Sequence, residues 1–95
     1  MRVEKADNFL RRALGLMFSK EKIMIFILNA EKKQAIWTPF MRFDVDLFFF
    51  NKSKRLIEKI SLEKWRIYKP KKAYKYLIEA PKGKLTKRKA VSLIR

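Results

Sequence analysis

Residues 37–51, WTPFMRFDVDLFFFN, constrain the fold of this chain more than any other fifteen positions. They hold one of its most apolar runs, and two carboxylates, Asp44 and Asp46, stand within it. Burying an unpaired charge is costly, so each acid must be paired, hydrogen-bonded or placed at an opening of the fold. Residues 45–50 have the length of a strand, and residues 23–28, IMIFIL, form a second apolar run of six. Such runs, lacking strict alternation, belong to strands covered on both faces, which suits two packed sheets.

The 95 residues amount to one domain, residues 1–95, with a single core. Hydrophobic residues make up 48% of the chain and eight are Phe. A disordered polycation is thereby excluded, because disorder requires low hydrophobicity as well as high charge. Cysteine is absent, which removes disulfides, thiolate metal sites and Cys nucleophiles. Histidine is absent too, and with it the commonest general base and metal ligand. Zinc enzymes, Ser-His-Asp hydrolases and Cys-His proteases are excluded on this inventory, and the residues point to no cofactor, no metal site and no enzyme. No apolar run approaches the ~20 residues that span a bilayer. Arg11 and Arg12 interrupt the region where a signal peptide carries its apolar core. The expectation is a cytoplasmic protein with no membrane insertion.

The net charge of +16 is unevenly spread. Residues 1–51 carry nine Lys or Arg against six acids, whereas residues 52–95 carry sixteen against three. Such asymmetry points to a basic face for nucleic acid, an anionic membrane surface or an acidic partner. The plainer reading is a solvated lysine coat. Seventeen lysines, one Gln and no Cys also fit thermophile usage.

Along the chain, Asp7 is positioned to cap a short helix over residues 8–14, with Gly15 just past its end. Strands are expected at residues 23–28 and 45–50, with a polar turn at 29–34 and an extended path over 35–37. Pro39 bars a regular strand or helix interior. Asn51-Lys52-Ser53-Lys54 forms a turn. Residues 55–65 read either as an amphipathic helix, from Leu56 and Ile60, or as the second arm of a hairpin. Pro70 ends that segment. Residues 74–79 form a strand, residues 81–84 a turn, and residues 90–94 a last strand. The fold class is mainly β: a compact single-domain β-sandwich or barrel-like fold with one short N-terminal helix.

Several stretches, taken in order, resemble the DUF192 (UPF0127) family. Residues 12–18, RALGLMF, are similar to its R-x-x-GLM-F signature, and Met24-Ile25-Phe26 to the strand that follows. Residues 37–49 resemble its W-M-K-N-T-x-x-P-L-D-x-x-F block, with Trp37, Asp46 and Phe49 on matching positions. Tyr68-Lys69-Pro70, Tyr76-Leu77-Ile78-Glu79 and Pro81-Lys82-Gly83 resemble later elements of the family. The similarity covers residues 9–83. Ser19, Thr38, Pro39 and Asp44 depart from the usual pattern, and Met41-Arg42 looks like an archaeal-type variant. The Gly-Asp pair that usually opens the family's last strand is missing, and the leading strand is short. The resemblance implies a compact β-rich domain and favours strand over helix at residues 55–60. It implies no activity.

Three groups of residues are candidate sites. The first is a polar cleft of Arg12, Trp37, Arg42, Asp44, Asp46 and Glu79. It would bind a small polar ligand, or Asp46 would serve the fold as a buried acceptor for backbone N–H groups or an arginine. The structural role is the one favoured. Asp44 and Asp46, one strand-step apart, could be read as a glycosidase pair or a divalent-metal site, but further ligands are wanting. A small hydrolase using Asp44, Asp46 or Glu79 stays open only because carboxylates can work without His. The second group, Met17, Met24 and Met41, has the softness for copper(I), though neighbouring apolar residues make core packing the better reading. The third is the basic, aromatic C-terminal half: Lys64, Trp65, Arg66, Tyr68, Lys71, Lys72, Tyr74, Lys75, Lys87, Arg88 and Lys89. Rings interleaved with cations on a β-surface are what single-strand nucleic-acid binding uses. The leading functional expectation is a small interaction or binding module for an unidentified ligand or protein partner. Non-specific nucleic-acid binding through the C-terminal half is the alternative.

Overall fold

The computed structural model describes residues 2–6, 22–37, 44–63 and 67–95. Among the described residues, seven strands and one helix follow in the order β1 (Arg2–Ala6), β2 (Lys22–Lys32), β3 (Ile36–Trp37), β4 (Val45–Phe50), β5 (Leu56–Leu62), β6 (Ile67–Tyr68), β7 (Tyr74–Pro81) and α1 (Lys87–Ile94). Five strands form one sheet in the order β1-β2-β7-β4-β5, and β3 pairs with β6 as a separate ribbon. The β1–β2 pair is parallel and the other pairs are antiparallel.

The apolar run at residues 45–50 becomes β4, next to the edge strand β5, and all six of its residues are buried. Alternation divides them. Val45, Leu47 and Phe49 join Met24, Phe26, Leu62, Tyr74 and Leu77 on one face, where Ile36 of the ribbon packs. Phe48 and Phe50 join Ile23, Ile25, Ile78 and Ala80 on the other, where Leu85 and α1 contribute Ala90 and Ile94. The sheet is therefore covered on both faces, as unbroken apolar strands require. The covers are a two-stranded ribbon on one side and a helix on the other, where the sequence suggested a second full sheet. Its edge strands, β1 and β5, do not pair with one another among the described residues.

Residues 90–94, expected as a strand, lie in α1. Thr86 caps the helix, its hydroxyl oxygen accepting from the Lys89 N–H at 3.1 Å. Ala90 and Ile94, four apart, form the buried stripe. β-Branched character at Val91 and Ile94 gives way to that period. The segment after the Asn51 turn is strand over Leu56–Leu62, as the hairpin reading and the family resemblance favoured. β2 continues through residues 29–32, read from sequence as a turn, because Lys32 still aligns with Tyr74 across an irregular register. The N-terminal helix expected at residues 8–14 lies outside the described residues.

Candidate functional site

Asp46 projects from β4 on the α1 side of the sheet, beside Ser61 of β5 and Ala80 of β7. It is 3% exposed, and both carboxylate oxygens accept hydrogen bonds. The Ser61 hydroxyl donates to Oδ1 at 2.5 Å, and the Gly83 backbone N–H donates to Oδ2 at 2.9 Å. Gly83 has φ +79, a left-handed conformation that glycine adopts without steric cost. Next to it the Lys82 N–H donates to the Asp44 carbonyl and the Lys84 N–H to the Pro81 carbonyl, each at 3.0 Å. Asp46 thus ties β4 to β5 and to the turn that launches α1.

Glu79 is also buried, at 4% exposure. It stands opposite Leu47 and Met24, so its side chain lies on the ribbon side of the sheet. Asp46 and Glu79 therefore occupy opposite faces and do not meet in one cleft. Asp44 is half-buried just before β4. Trp37 is in the ribbon, paired with Ile67, while Arg12 and Arg42 lie outside the described residues. Met24 is a core residue, whereas Met17 and Met41 are outside the described residues. Among the described residues no three carboxylates gather as metal ligands.

The basic, aromatic group is divided as well. Tyr74, expected as a surface ring, is fully buried. Its ring meets Phe49 edge-on at 4.8 Å, and its hydroxyl donates to the Gln34 carbonyl at 2.9 Å. A tyrosine whose one polar atom finds a backbone acceptor packs in a core at little cost. Lys87, Arg88 and Lys89 are exposed on the first turn of α1. Lys71 and Lys72 sit near Tyr68, which packs on the ribbon face, so these cations and those of α1 belong to opposite sides of the sheet. Lys75 lies 5.6 Å from the Tyr76 ring, a cation–π contact. Lys64, Trp65 and Arg66 are outside the described residues.

One concave feature was not anticipated. A groove of about 440 Å³ runs beside β5, lined by Ile57, Glu58, Lys59, Ile60, Tyr68 and the lysines Lys71 and Lys72. Ile57, Ile60 and Tyr68 also pack on the ribbon-side core, and Tyr68 is 5.9 Å from Phe49, ring to ring. Lys71 and Lys72 are exposed, and neither has an ion pair among the described residues. The sequence singled out Leu56 and Ile60 in this segment, not Ile57. The position of β5 at the end of the sheet was not visible in it, and that position makes the groove.

No described helix is long and apolar enough to cross a membrane. Residues 1–92 match the model of a family described as DUF192, uncharacterized ACR, COG1430. A UPF0127 protein of Pyrococcus furiosus is 40% identical over 84 residues, a match spanning 85% of this chain and 72% of the relative. One from Pyrococcus horikoshii is also 40% identical over 84 residues, spanning 85% and 73%. A crystal structure of a protein of unknown function from Novosphingobium aromaticivorans superposes with a TM-score of 0.70 at 21% identity. The superposition covers 87% of this chain and 64% of that one, and the likeness is one of fold. Family model, archaeal relatives and shared fold agree: this chain belongs to the DUF192 (UPF0127) family, whose function is unassigned.

Proposed function

We propose that this protein is a binding module whose ligand site is the groove beside β5, and that it takes an anionic ligand with an apolar part. One observation carries the reading. Ile57, Ile60 and Tyr68 give the groove an apolar lining, and its three lysines, Lys59, Lys71 and Lys72, outnumber its one carboxylate, Glu58. Its volume of about 440 Å³ falls within the range of small-ligand clefts. An apolar body would be held by the apolar lining, and an acidic group by the ammonium groups.

The competing readings have less support. Both oxygens of Asp46 are already engaged by Ser61 and Gly83, which favours a role in the fold. A hydrolase built on Asp46 and Glu79 would need both carboxylates to reach one bond, and they face opposite sides of a sheet. For nucleic acid, Tyr74 is lost as a stacking ring, and the lysines near Tyr68 are separated from those of α1 by the sheet.

The test is a heteronuclear NMR titration of ¹⁵N-labelled protein with sodium octanoate and, separately, with a single-stranded oligonucleotide at two salt concentrations. The reading expects octanoate to shift Ile57, Ile60, Tyr68, Lys71 and Lys72 selectively. Shifts scattered over all exposed lysines, or saturable oligonucleotide binding centred on Lys87–Lys89, would overturn it.

A further inference from the structure

We infer that the occupant of this groove is an acidic polypeptide segment in extended conformation, which adds a strand to the edge of β5 that no described strand pairs. The inference rests on the groove being the ligand site and names what fills it.

The shape of the groove points along an edge. Its lining takes four consecutive residues of β5, Ile57, Glu58, Lys59 and Ile60. An irregular register opposite Phe49 and Phe50 lets Ile57 and Glu58 share the ribbon face with Ile60, so those three alone would fit a pocket on one face. Lys59 alternates to the other face, where its ammonium group lies 5.9 Å from the Phe48 ring, so a cleft that also touches Lys59 reaches the outer edge of the strand. β5 pairs with β4 on one side, and no described strand pairs with the other. Alternate residues of an edge strand direct their N–H and C=O groups outward, a ready template for another extended chain.

Charge selects the partner. A second copy of this protein, whose net charge is +16, would bring three more groove lysines, Lys59, Lys71 and Lys72, for each Glu58, so cations outnumber acids at a shared edge. Like charges placed opposite one another in a strand pair are destabilising, which disfavours edge-to-edge self-association. An acidic segment meets the same lysines with opposite charge. Residues two apart on an added strand lie about 6.6–6.8 Å from each other on one face. A central apolar side chain can then rest on Ile57, Ile60 and Tyr68 while acids two positions away reach Lys71 and Lys72.

The probe is an acetylated, amidated seven-residue peptide of sequence Thr-Glu-Thr-Leu-Thr-Glu-Thr, with two twins methylated on the backbone nitrogens of its odd or its even residues. Binding is followed by NMR shifts of β5 amides and by fluorescence anisotropy, with sodium octanoate titrated in parallel. Strand addition expects the parent to bind at residues 57–60. One twin should bind about tenfold or more weakly than the parent and the other should bind like the parent, because only one phase of N–H groups faces β5. Equal behaviour of the twins overturns strand addition and leaves the groove as a site for anions. Octanoate binding without any peptide binding has the same meaning. Failure of both peptide and octanoate removes the groove reading together with the inference.

Discussion

Replacing Asp46 by alanine removes the acceptor shared by Ser61 and Gly83, and the structure sets the size of the effect. Hydrogen bonds to a charged group contribute about 1.5–3 kcal/mol each, so loss of both would cost roughly 3–6 kcal/mol. Part of this is recovered, because Ser61 and Gly83 lie at the surface and water can reach both donors. A net loss of about 2–4 kcal/mol is expected, a fall in melting temperature of roughly 10–30 °C for a domain of this size. Asp46→Asn is the informative partner. Its amide oxygen can still accept from Gly83, and the Ser61 hydroxyl can turn to accept from the new NH₂, so the cost drops to about 1 kcal/mol. Ser61→Ala should cost about 1 kcal/mol alone. The Asp46→Ala, Ser61→Ala double variant should cost less than the sum of the two single changes. Urea unfolding followed by circular dichroism measures all four. An Asp46→Ala loss under about 0.5 kcal/mol, the ordinary range of a surface change, would refute the clamp. So would Asp46→Asn proving as costly as Asp46→Ala.

Substitutions at three further positions test other contacts of the fold. Gly83→Ala meets no atom within 4 Å of its new Cβ, so its cost of about 1–2 kcal/mol comes from φ +79 alone, and Gly83→Asn should cost less in the same urea assay. Tyr74→Phe keeps the ring against Phe49 and loses the bond to the Gln34 carbonyl, for about 1 kcal/mol by thermal unfolding. Thr86→Ala removes the N-cap of α1 and should cost about 0.5–2 kcal/mol, with hydrogen exchange rising first in residues 87–94.

The sequence was most legible where burial is continuous. Residues 45–50 and 74–79 could be placed because an apolar run bounded by turns has one economical fate, and Asn51–Lys54 and Pro81–Lys84 close as the turn residues suggest. The need for cover on both faces was also readable from those runs. What supplies the cover was not. Residues 90–94 carry Val and Ile, and their strand character masked the four-residue spacing of Ala90 and Ile94 behind the Thr86 cap. Tyr74 looked like a surface ring among lysines, because no local pattern announces that Gln34, forty residues away, receives its hydroxyl. The role of Asp46 as an acceptor could be anticipated, since few solutions exist for a carboxylate in an apolar strand. Its separation from Glu79 depends on the β4–β7 register, which single-sequence spacing does not encode. The groove was invisible for a related reason: edge position is a property of strand order.

In the proposed function Asp46 serves the fold and the groove beside β5 serves binding, and one comparison of charge reversals tests the groove assignment most directly. Lys71→Glu with Lys72→Glu and Lys87→Glu with Lys89→Glu change the net charge equally, at the groove and on α1 respectively. Anisotropy of the labelled acidic peptide should show binding lost in the groove pair and kept within about twofold in the helix pair, since equal charge changes far from a site act only through screened, long-range attraction. Equal losses in both pairs, or a larger loss from the helix pair, would contradict the assignment of the groove.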